Sequence, residues 1–206
     1  MNLSNIYERV LNKKNHSLFL GIFFVLFLLI GLSIVRDFGL STDEPFHRSI
    51  GYYWYFSLME MFSSNYELIN SIENKFSKMN WAGMIYDGKF DQYGPFVDLF
   101  SVFVEETLGI TKTQNAFLTK HIINFLIFFL SSIFFYKIIF DRFNNSYFSL
   151  LVTFFYVSSP RIFAESFYNC KDITFMSFCV IAAPLVHFLT CKNRVFWKIK
   201  IVEKQQ

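Results

Sequence analysis

Long apolar segments alternate with polar segments along this chain, and the apolar ones are long enough to cross a membrane. Residues 18–35 contain no charged residue, and a helix of that length rises about 27 Å, close to a hydrocarbon core of about 30 Å. Further apolar segments cover residues 121–140, 147–164 and 173–191. The pattern predicts an all-α integral membrane protein with about four transmembrane helices.

The first apolar segment follows two lysines, Lys13 and Lys14, as the apolar part of a signal peptide would. It is longer than such a part, which covers about 7 to 15 residues, and no cleavage site of small residues follows it. We therefore interpret it as an uncleaved signal anchor.

The polar segment 36–120 is too rich in aromatic and apolar residues to be a disordered linker. Within it, 51–62 concentrates Tyr, Trp and Phe, which favour the membrane interface, and 95–108 is apolar but too short to span. The segment between them, 81–94, contains Asp87-Gly88 and ends at Gly94-Pro95, which are typical of loops and turns. We expect a large outer first loop carrying interfacial helices, within a single membrane domain of residues 1–206.

Composition supports a membrane protein. Of 206 residues, 53% are hydrophobic and only 17% charged, whereas soluble domains carry roughly 25% charged residues. Three scattered cysteines exclude a disulfide framework, and the four histidines form no metal-ligand motif in sequence. No basic patch predicts nucleic acid as a partner.

The distribution of charge predicts the orientation. Segments 1–17, 137–146 and 190–206 hold 10 basic and 3 acidic residues, whereas segment 37–120 holds 6 basic and 11 acidic residues. Because Lys and Arg are retained on the cytoplasmic side, both termini are expected inside. This topology fits a multi-pass protein of a bacterial inner (plasma) membrane, with the long loop on the periplasmic or outer face.

The first candidate site is the sequence RDFGLSTDEPFHRS at 36–49, directly after the first span. Its adjacent carboxylates, Asp43 and Glu44, could deprotonate a hydroxyl or bind a cation. A structural role is the alternative, with Thr42 or Asp43 as the N-cap of a helix, Pro45 at an early helical position and Glu44 favouring the helix dipole.

The second candidate site is the sequence SSPRIFAESFYNCKDITF at 158–175, at the outer ends of the third and fourth spans. Ionisable groups at the bilayer surface are expensive unless they are paired or used. Arg161 and Lys171 could hold a lipid phosphate. Alternatively, Arg161 pairs with Glu165 one helical turn away, and Lys171 extends its ammonium into the interface.

Together these motifs resemble the N-terminal part of GT-C type polytopic glycosyltransferases, of the branch of protein O-mannosyltransferases and lipid A aminoarabinose transferases. In that family an acidic motif follows the first span, as STDEPFHR does here, and a second acidic residue follows the end of a later span, as Asp172 does. YGPFVDLF at 93–100 resembles the stretch that opens the family's interfacial helix. The resemblance covers about residues 15 to 190.

The resemblance implies an inverting transferase that moves a sugar from a polyprenyl-phosphate donor to a hydroxyl of a lipid, glycan or protein acceptor at the outer face. Asp43 would be the general base, and Glu44 and Asp172 would orient donor or acceptor, or hold a divalent metal in relatives that need one. No other cofactor is implied. Membrane lipids surround the spans as further partners.

Relatives of this family continue through many more spans, which help to build the donor groove. The resemblance therefore implies that later spans or a partner subunit complete the site. The alternative from a different class is a small non-enzymatic membrane protein that binds lipid or scaffolds a partner complex.

Overall fold

The computed structural model describes residues 3–80, 82–86, 94–184 and 186, and it describes residues 3–16, 84 and 86 by their backbone only. Every regular element in these residues is a helix, which confirms the all-α prediction. Most of the segment 81–94, the end of the predicted fourth span with its His187, and the basic residues of 190–206 lie outside the described residues.

Nine α-helices are described, in three groups along the chain. The first group is α1 Leu3–Ile34 with the 3₁₀ helix Val35–Asp37 that follows it. The second group, in the predicted loop, consists of α2 Glu44–Phe62, α3 Tyr66–Ser77, α4 Ala82–Tyr86 and α5 Phe96–Thr107. The remaining helices are α6 Thr113–Phe143, α7 Ser146–Ser158, α8 Pro160–Tyr168 and α9 Asp172–Pro184.

Within the part of the chain that the structure describes, two or three helical segments are candidates for crossing a membrane. Ser17–Asp37 and Thr113–Phe143 are each long and apolar enough, and α7 with α8 passes the same test as a pair bent by 61°. The bend falls at Pro160, which lacks an N–H and clashes with a continuing helix. Helix α9 is apolar but shorter, so a count of four spans and the orientation stay predictions.

The chain divides into two compact units. The loop unit is Val35–Asn124, which contains the whole of the predicted first loop, 36–120, and the span unit consists of residues 1–34 and 125–206. The predicted loop is thus a folded unit with its own core. The single membrane domain, residues 1–206, stays a prediction.

Helix α2 lies at the centre of the loop unit, where it packs against α3, α4 and α5. Its aromatic residues Tyr52, Tyr55 and Phe56 are buried in a core with Ile72 and Phe76 of α3. The aromatic sequence that suggested an interfacial helix therefore belongs largely to a protein core. Tyr and Phe serve both environments because each buries a large apolar ring. An interfacial position for α2 and α5 stays a prediction.

Helices α2 and α5 approach closely because residue 51 is a glycine. A Cβ at Gly51 would lie 2.5 Å from the backbone oxygen of Asp98 and 2.8 Å from Cγ2 of Val102. The contact with Asp98 is to main chain, which cannot rotate away. Gly51 thus sets the distance at which α2 meets α5.

The span unit has an aromatic core between α1 and α6. A Cβ at Gly31 would lie 1.9 Å from Cζ of Phe125, so the ring occupies the space over the glycine. Phe125 in turn stacks on Phe167 of α8, with ring centroids 5.0 Å apart. A mostly apolar cavity of about 430 Å³ lies among α1, α7 and α8 in this unit.

We expect Gly51→Ala to lower the free energy of unfolding by about 1–3 kcal/mol, as overpacking does, because the added methyl group displaces α5. Gly83→Ala is the matched control, since Gly83 is also helical and a Cβ there meets nothing within 4 Å. Thermal unfolding in detergent micelles checks both variants. Equal midpoints for the two would contradict the close approach of α2 and α5.

Candidate functional site

One face of α2 carries four ionisable or hydroxyl side chains: Glu44, His47, Arg48 and Tyr52. Their spacing of three, four and eight residues places them on the same side of a helix. Each is bonded to a side chain of α5 or α6. This face is the polar centre of the loop unit.

Glu44 is bound on both carboxylate oxygens. Nε2–H of His121, on α6, donates to its Oε1 at 2.7 Å, and the backbone N–H of Ser41 donates to its Oε2 at 2.7 Å. Glu44 is 1% exposed and His121 3% exposed. The bond from Ser41 also closes the turn before α2, so Glu44 fixes both the start of the helix and the ring of His121.

Asp98, on α5, is the second buried acid, with a partner on each oxygen. Nδ1–H of His47 donates to Oδ2 at 2.8 Å, and Nζ of Lys120 donates to Oδ1 at 2.7 Å. Burial alone would raise the pKa of Asp98, but the charge of Lys120 and the hydrogen bond from His47 outweigh burial and hold that pKa below 3.8. Asp98 is therefore a carboxylate that ties α2 to α6.

The third group joins α2, α3 and α5 through two glutamates of α5. Arg48 forms an ion pair with Glu105, Lys75 contacts Glu106 at 2.7 Å, and the hydroxyl of Tyr52 lies between the two glutamates, 2.9 Å from Glu105 Oε1. Burial and the two carboxylates raise the pKa of Tyr52. Its hydroxyl thus stays protonated and serves as a donor.

Asp43 differs from these groups because its carboxylate is open to solvent. It occupies the N-cap position of α2, but its side chain makes no capping hydrogen bond. Pro45 stands in the first turn, as the structural alternative expected, and Asp43 itself is exposed. The predicted base therefore has a defined backbone position and an uncommitted carboxylate.

A cavity of about 740 Å³ adjoins this network within the loop unit. Its walls are the segment 35–40 and the first two turns of α6, and buried His121 forms part of the lining. The polar side chains in the lining are Arg36, Thr113, Gln114, Asn115 and His121. Of these, only Arg36 belongs to a candidate site of the sequence, the segment 36–49, and no role was predicted for it.

The second predicted site lies in the span unit. Nε of Arg161 donates to Glu165 Oε1 at 2.9 Å, which is the ion pair of the structural alternative. Nδ2 of Asn169 contacts Glu165 at 3.2 Å and Asp172 at 3.3 Å. The Oδ1 of Asn169 accepts the backbone N–H groups of Lys171 and Asp172, so Asn169 caps the start of α9.

The five residues predicted for the site therefore fall into two groups. Asp43 and Glu44 belong to the loop unit, and Arg161, Lys171 and Asp172 belong to the span unit. Asp43 and Asp172 are exposed and Lys171 is half-buried, whereas Glu44 is buried. The convergence of both groups on one substrate stays a prediction.

The carboxylates of Glu44 and Asp98 are already engaged by protein groups. Lys120 and His47 already occupy both oxygens of Asp98, and the ammonium of Lys120 supplies the cation that a metal would otherwise provide. His121 and Ser41 likewise occupy Glu44. Among the predicted acids of this unit, only Asp43 presents an open carboxylate.

Sequence reasoning missed most of the buried network, including His47, Asp98, Lys120 and His121. The helical spacing of 44, 47, 48 and 52 was a usable signal, because charged residues on the same face as the aromatic residues of α2 require partners. Spacing could not identify those partners, because they are far away in the chain. Asp98 is 51 residues from His47 and 22 from Lys120, and His121 is 77 residues from Glu44.

Comparison with protein-family models, curated proteins and solved structures found no match to this chain.

We expect Asp98→Asn to lower the free energy of unfolding by about 3–5 kcal/mol, because it leaves the buried ammonium of Lys120 without a counter-charge. Glu165→Gln is the control, since its partner Arg161 is 87% exposed and surface pairs contribute little. Chemical unfolding in detergent micelles compares the two. A loss in Asp98→Asn no larger than in Glu165→Gln would contradict the buried network.

The pH dependence of stability supplies a second readout for Asp98. A carboxyl whose pKa is lower in the folded state contributes stability above its unfolded pKa and loses it as the pH falls towards the folded pKa. The wild type should therefore lose stability on acidification from about pH 5 to 3, and Asp98→Asn should lose less over that range. Parallel pH profiles would contradict a lowered pKa for Asp98.

Proposed function

We propose that this chain is the N-terminal part of a membrane transferase that moves a sugar from a polyprenyl-phosphate donor to an acceptor hydroxyl at the outer membrane face. The proposal rests on the resemblance of the motifs around Asp43 and Asp172 to GT-C type glycosyltransferases of the protein O-mannosyltransferase and lipid A aminoarabinose transferase branch. The apolar helices make a membrane location the natural setting for a lipid-linked donor.

The state of Asp43 is the observation that carries the proposal. A general base needs a carboxylate free to take a proton, on a backbone held in one place. Asp43 has such a carboxylate, exposed and without a capping bond. The next residue, Glu44, is buried and bound to His121 and Ser41, so the backbone at Asp43 is anchored while its side chain is open.

The reaction proposed for Asp43 is a direct displacement. Asp43 accepts the proton of the acceptor hydroxyl as that oxygen forms a bond to the anomeric carbon of the sugar. The bond from that carbon to the phosphate oxygen breaks, and the polyprenyl phosphate leaves with the electron pair. A single displacement inverts the anomeric centre, and nearby cations would stabilise the departing phosphate.

The remaining predicted residues have different parts in this proposal. Glu44 acts as a positioning residue, because its oxygens are committed to the protein. Asp172, exposed at the start of α9, stays the predicted orienting group for donor or acceptor. Arg161 and Lys171 stay predicted contacts of the donor phosphate, although Arg161 is paired with Glu165.

The apolar cavity of the span unit supports a lipid-linked donor. It lies among three apolar helices and is lined by phenylalanine, leucine, isoleucine and valine, with Ser158 as its polar member. Its volume of about 430 Å³ suits part of an isoprenoid chain. Later spans or a partner subunit would enclose the rest of the donor.

A non-enzymatic membrane protein that binds lipid or scaffolds a partner complex is the second candidate. The pairing of ionisable groups favours it: His121 and Ser41 engage Glu44, and Glu165 engages Arg161. In that case the polar network of α2 would serve to hold the loop unit together.

We expect Asp43→Asn to abolish transfer, because an amide cannot accept the proton. The measurement is transfer of labelled sugar from a polyprenyl-phosphate pool, in membranes that contain this chain with its downstream spans or partner subunit. Glu67→Gln is the control, since Glu67 is also exposed near the start of a helix in the loop unit. The melting midpoint of Asp43→Asn should stay close to that of the wild type.

Transfer by Asp43→Asn at the wild-type rate would remove Asp43 as the base. Absence of transfer by the wild type in the completed system, with the chain folded, would overturn the transferase and favour the scaffold.

A further inference from the structure

The cavity of the loop unit has the chemistry of an anion site. Arg36 lines it, is exposed, and has no ion pair or hydrogen bond within the described residues. Thr113, Gln114 and Asn115 add hydroxyl and amide donors, and no acidic side chain lines the cavity. An arginine with neutral donors around it suits the several oxygens of a phosphate group.

His121 supplies a second nitrogen to the cavity. Its Nε2–H is directed to Glu44, so the other ring nitrogen is left for a ligand. Glu44 is 1% exposed and is not part of the lining. Contact with a phosphate oxygen requires a hydrogen on the second ring nitrogen, so the contact is made by the form of the ring in which both nitrogens donate.

A further positive charge lies behind one wall of the cavity. The guanidinium of Arg48 is 5.8 Å from the ring centroid of Phe117, which lines the cavity. This charge is shared with Glu105, so its effect on the potential in the cavity is smaller than that of Arg36.

The apolar part of the lining indicates that the ligand is amphiphilic. Val35, Phe38, Leu40 and Leu118 accompany the polar residues. Arg36 itself belongs to the last turn of the candidate span Ser17–Asp37, where a helix leaves the hydrocarbon core. A lipid phosphate places its charge at that level and its chain next to apolar side chains.

We propose that this cavity binds a phosphate group, with Arg36 and His121 as its principal contacts. A membrane lipid with a phosphate ester and free inorganic phosphate both present such a group, and the apolar lining of the cavity favours the lipid. This inference does not require the transferase: a lipid-binding scaffold would have the same site. If the transferase is correct, the cavity provides a place for the donor phosphate that differs from Arg161 and Lys171.

The test is calorimetric titration of the purified full chain in phosphate-free detergent micelles. The probes are farnesyl phosphate, farnesol and inorganic phosphate. We expect farnesyl phosphate to bind at least tenfold more tightly than farnesol, because only the ester offers an anion to Arg36. Inorganic phosphate binding as tightly as farnesyl phosphate would support the phosphate site and identify the free ion as its ligand.

Substitutions of Arg36 test whether farnesyl phosphate binds in this cavity. Arg36→Gln should weaken farnesyl phosphate binding about tenfold, and Arg36→Lys should restore part of it. Arg142→Gln is the matched control for loss of one exposed arginine in the span unit, and we expect it to bind as the wild type does. Weaker binding by Arg161→Gln, with Arg36→Gln unchanged, would overturn the proposal in favour of the second predicted site.

A steric variant tests the same cavity without a change of charge. Gly39 lines the cavity, and a Cβ there meets nothing within 4 Å. Gly39→Leu should therefore fold normally and obstruct the ligand, weakening binding about as much as Arg36→Gln does. Gly94→Leu is the control at an open glycine outside the lining. Equal binding of farnesol and farnesyl phosphate, or full binding by Gly39→Leu, would overturn the proposal.

Discussion

The structure of the loop unit depends on one constraint: the polar and charged side chains that α2 buries must each meet a hydrogen-bonding partner. A buried ion without a partner costs several kcal/mol, and a pair is tolerated only when its geometry is good. Glu44 and His47 on α2 meet His121 on α6 and Asp98 on α5, with Asp98 also bound to Lys120. These pairs specify how three helices pack, in addition to any stability they contribute.

The same constraint positions the groups to which we assign chemistry. The bonds from His121 and Ser41 to Glu44 hold the first turn of α2, and Asp43 precedes that turn with an open carboxylate. His121 is at once a partner of Glu44 and part of the wall of the cavity. A general base and an anion site can therefore share one rigid support, because both are next to the same buried pair.

The sequence was most informative where hydropathy alone decides the structure. The apolar segment that begins near residue 18 and the segment 121–140 correspond to helices that could cross a membrane. The predicted span 147–164 corresponds to two helices that pass the same test as a pair but are bent by 61°. The bend falls at Pro160, which disfavours a helical conformation for Ser159 before it. Composition also left the role of the aromatic residues of α2 open, since core and interface select the same side chains.

The polar network shows the opposite case. That Glu44, His47 and Arg48 share a helix face follows from their spacing, but the residues opposite them depend on tertiary packing. Lys120 and His121 stand at the edge of a predicted span, where a lysine is ordinarily explained by snorkelling to the interface. In the structure Lys120 is 3% exposed and bound to Asp98. Only the approach of α5 and α6 to α2 reveals this arrangement.

A double-mutant cycle on Glu44 and His121 tests this account most directly. The free energies of unfolding of Glu44→Gln, His121→Gln, the double variant and the wild type would be measured in detergent micelles. A buried pair in direct contact predicts a coupling energy of about 0.5–3 kcal/mol, with the double variant less destabilised than the sum of the single ones. Additive effects would contradict the pairing of α2 with α6 on which the loop unit, the position of Asp43 and the cavity depend.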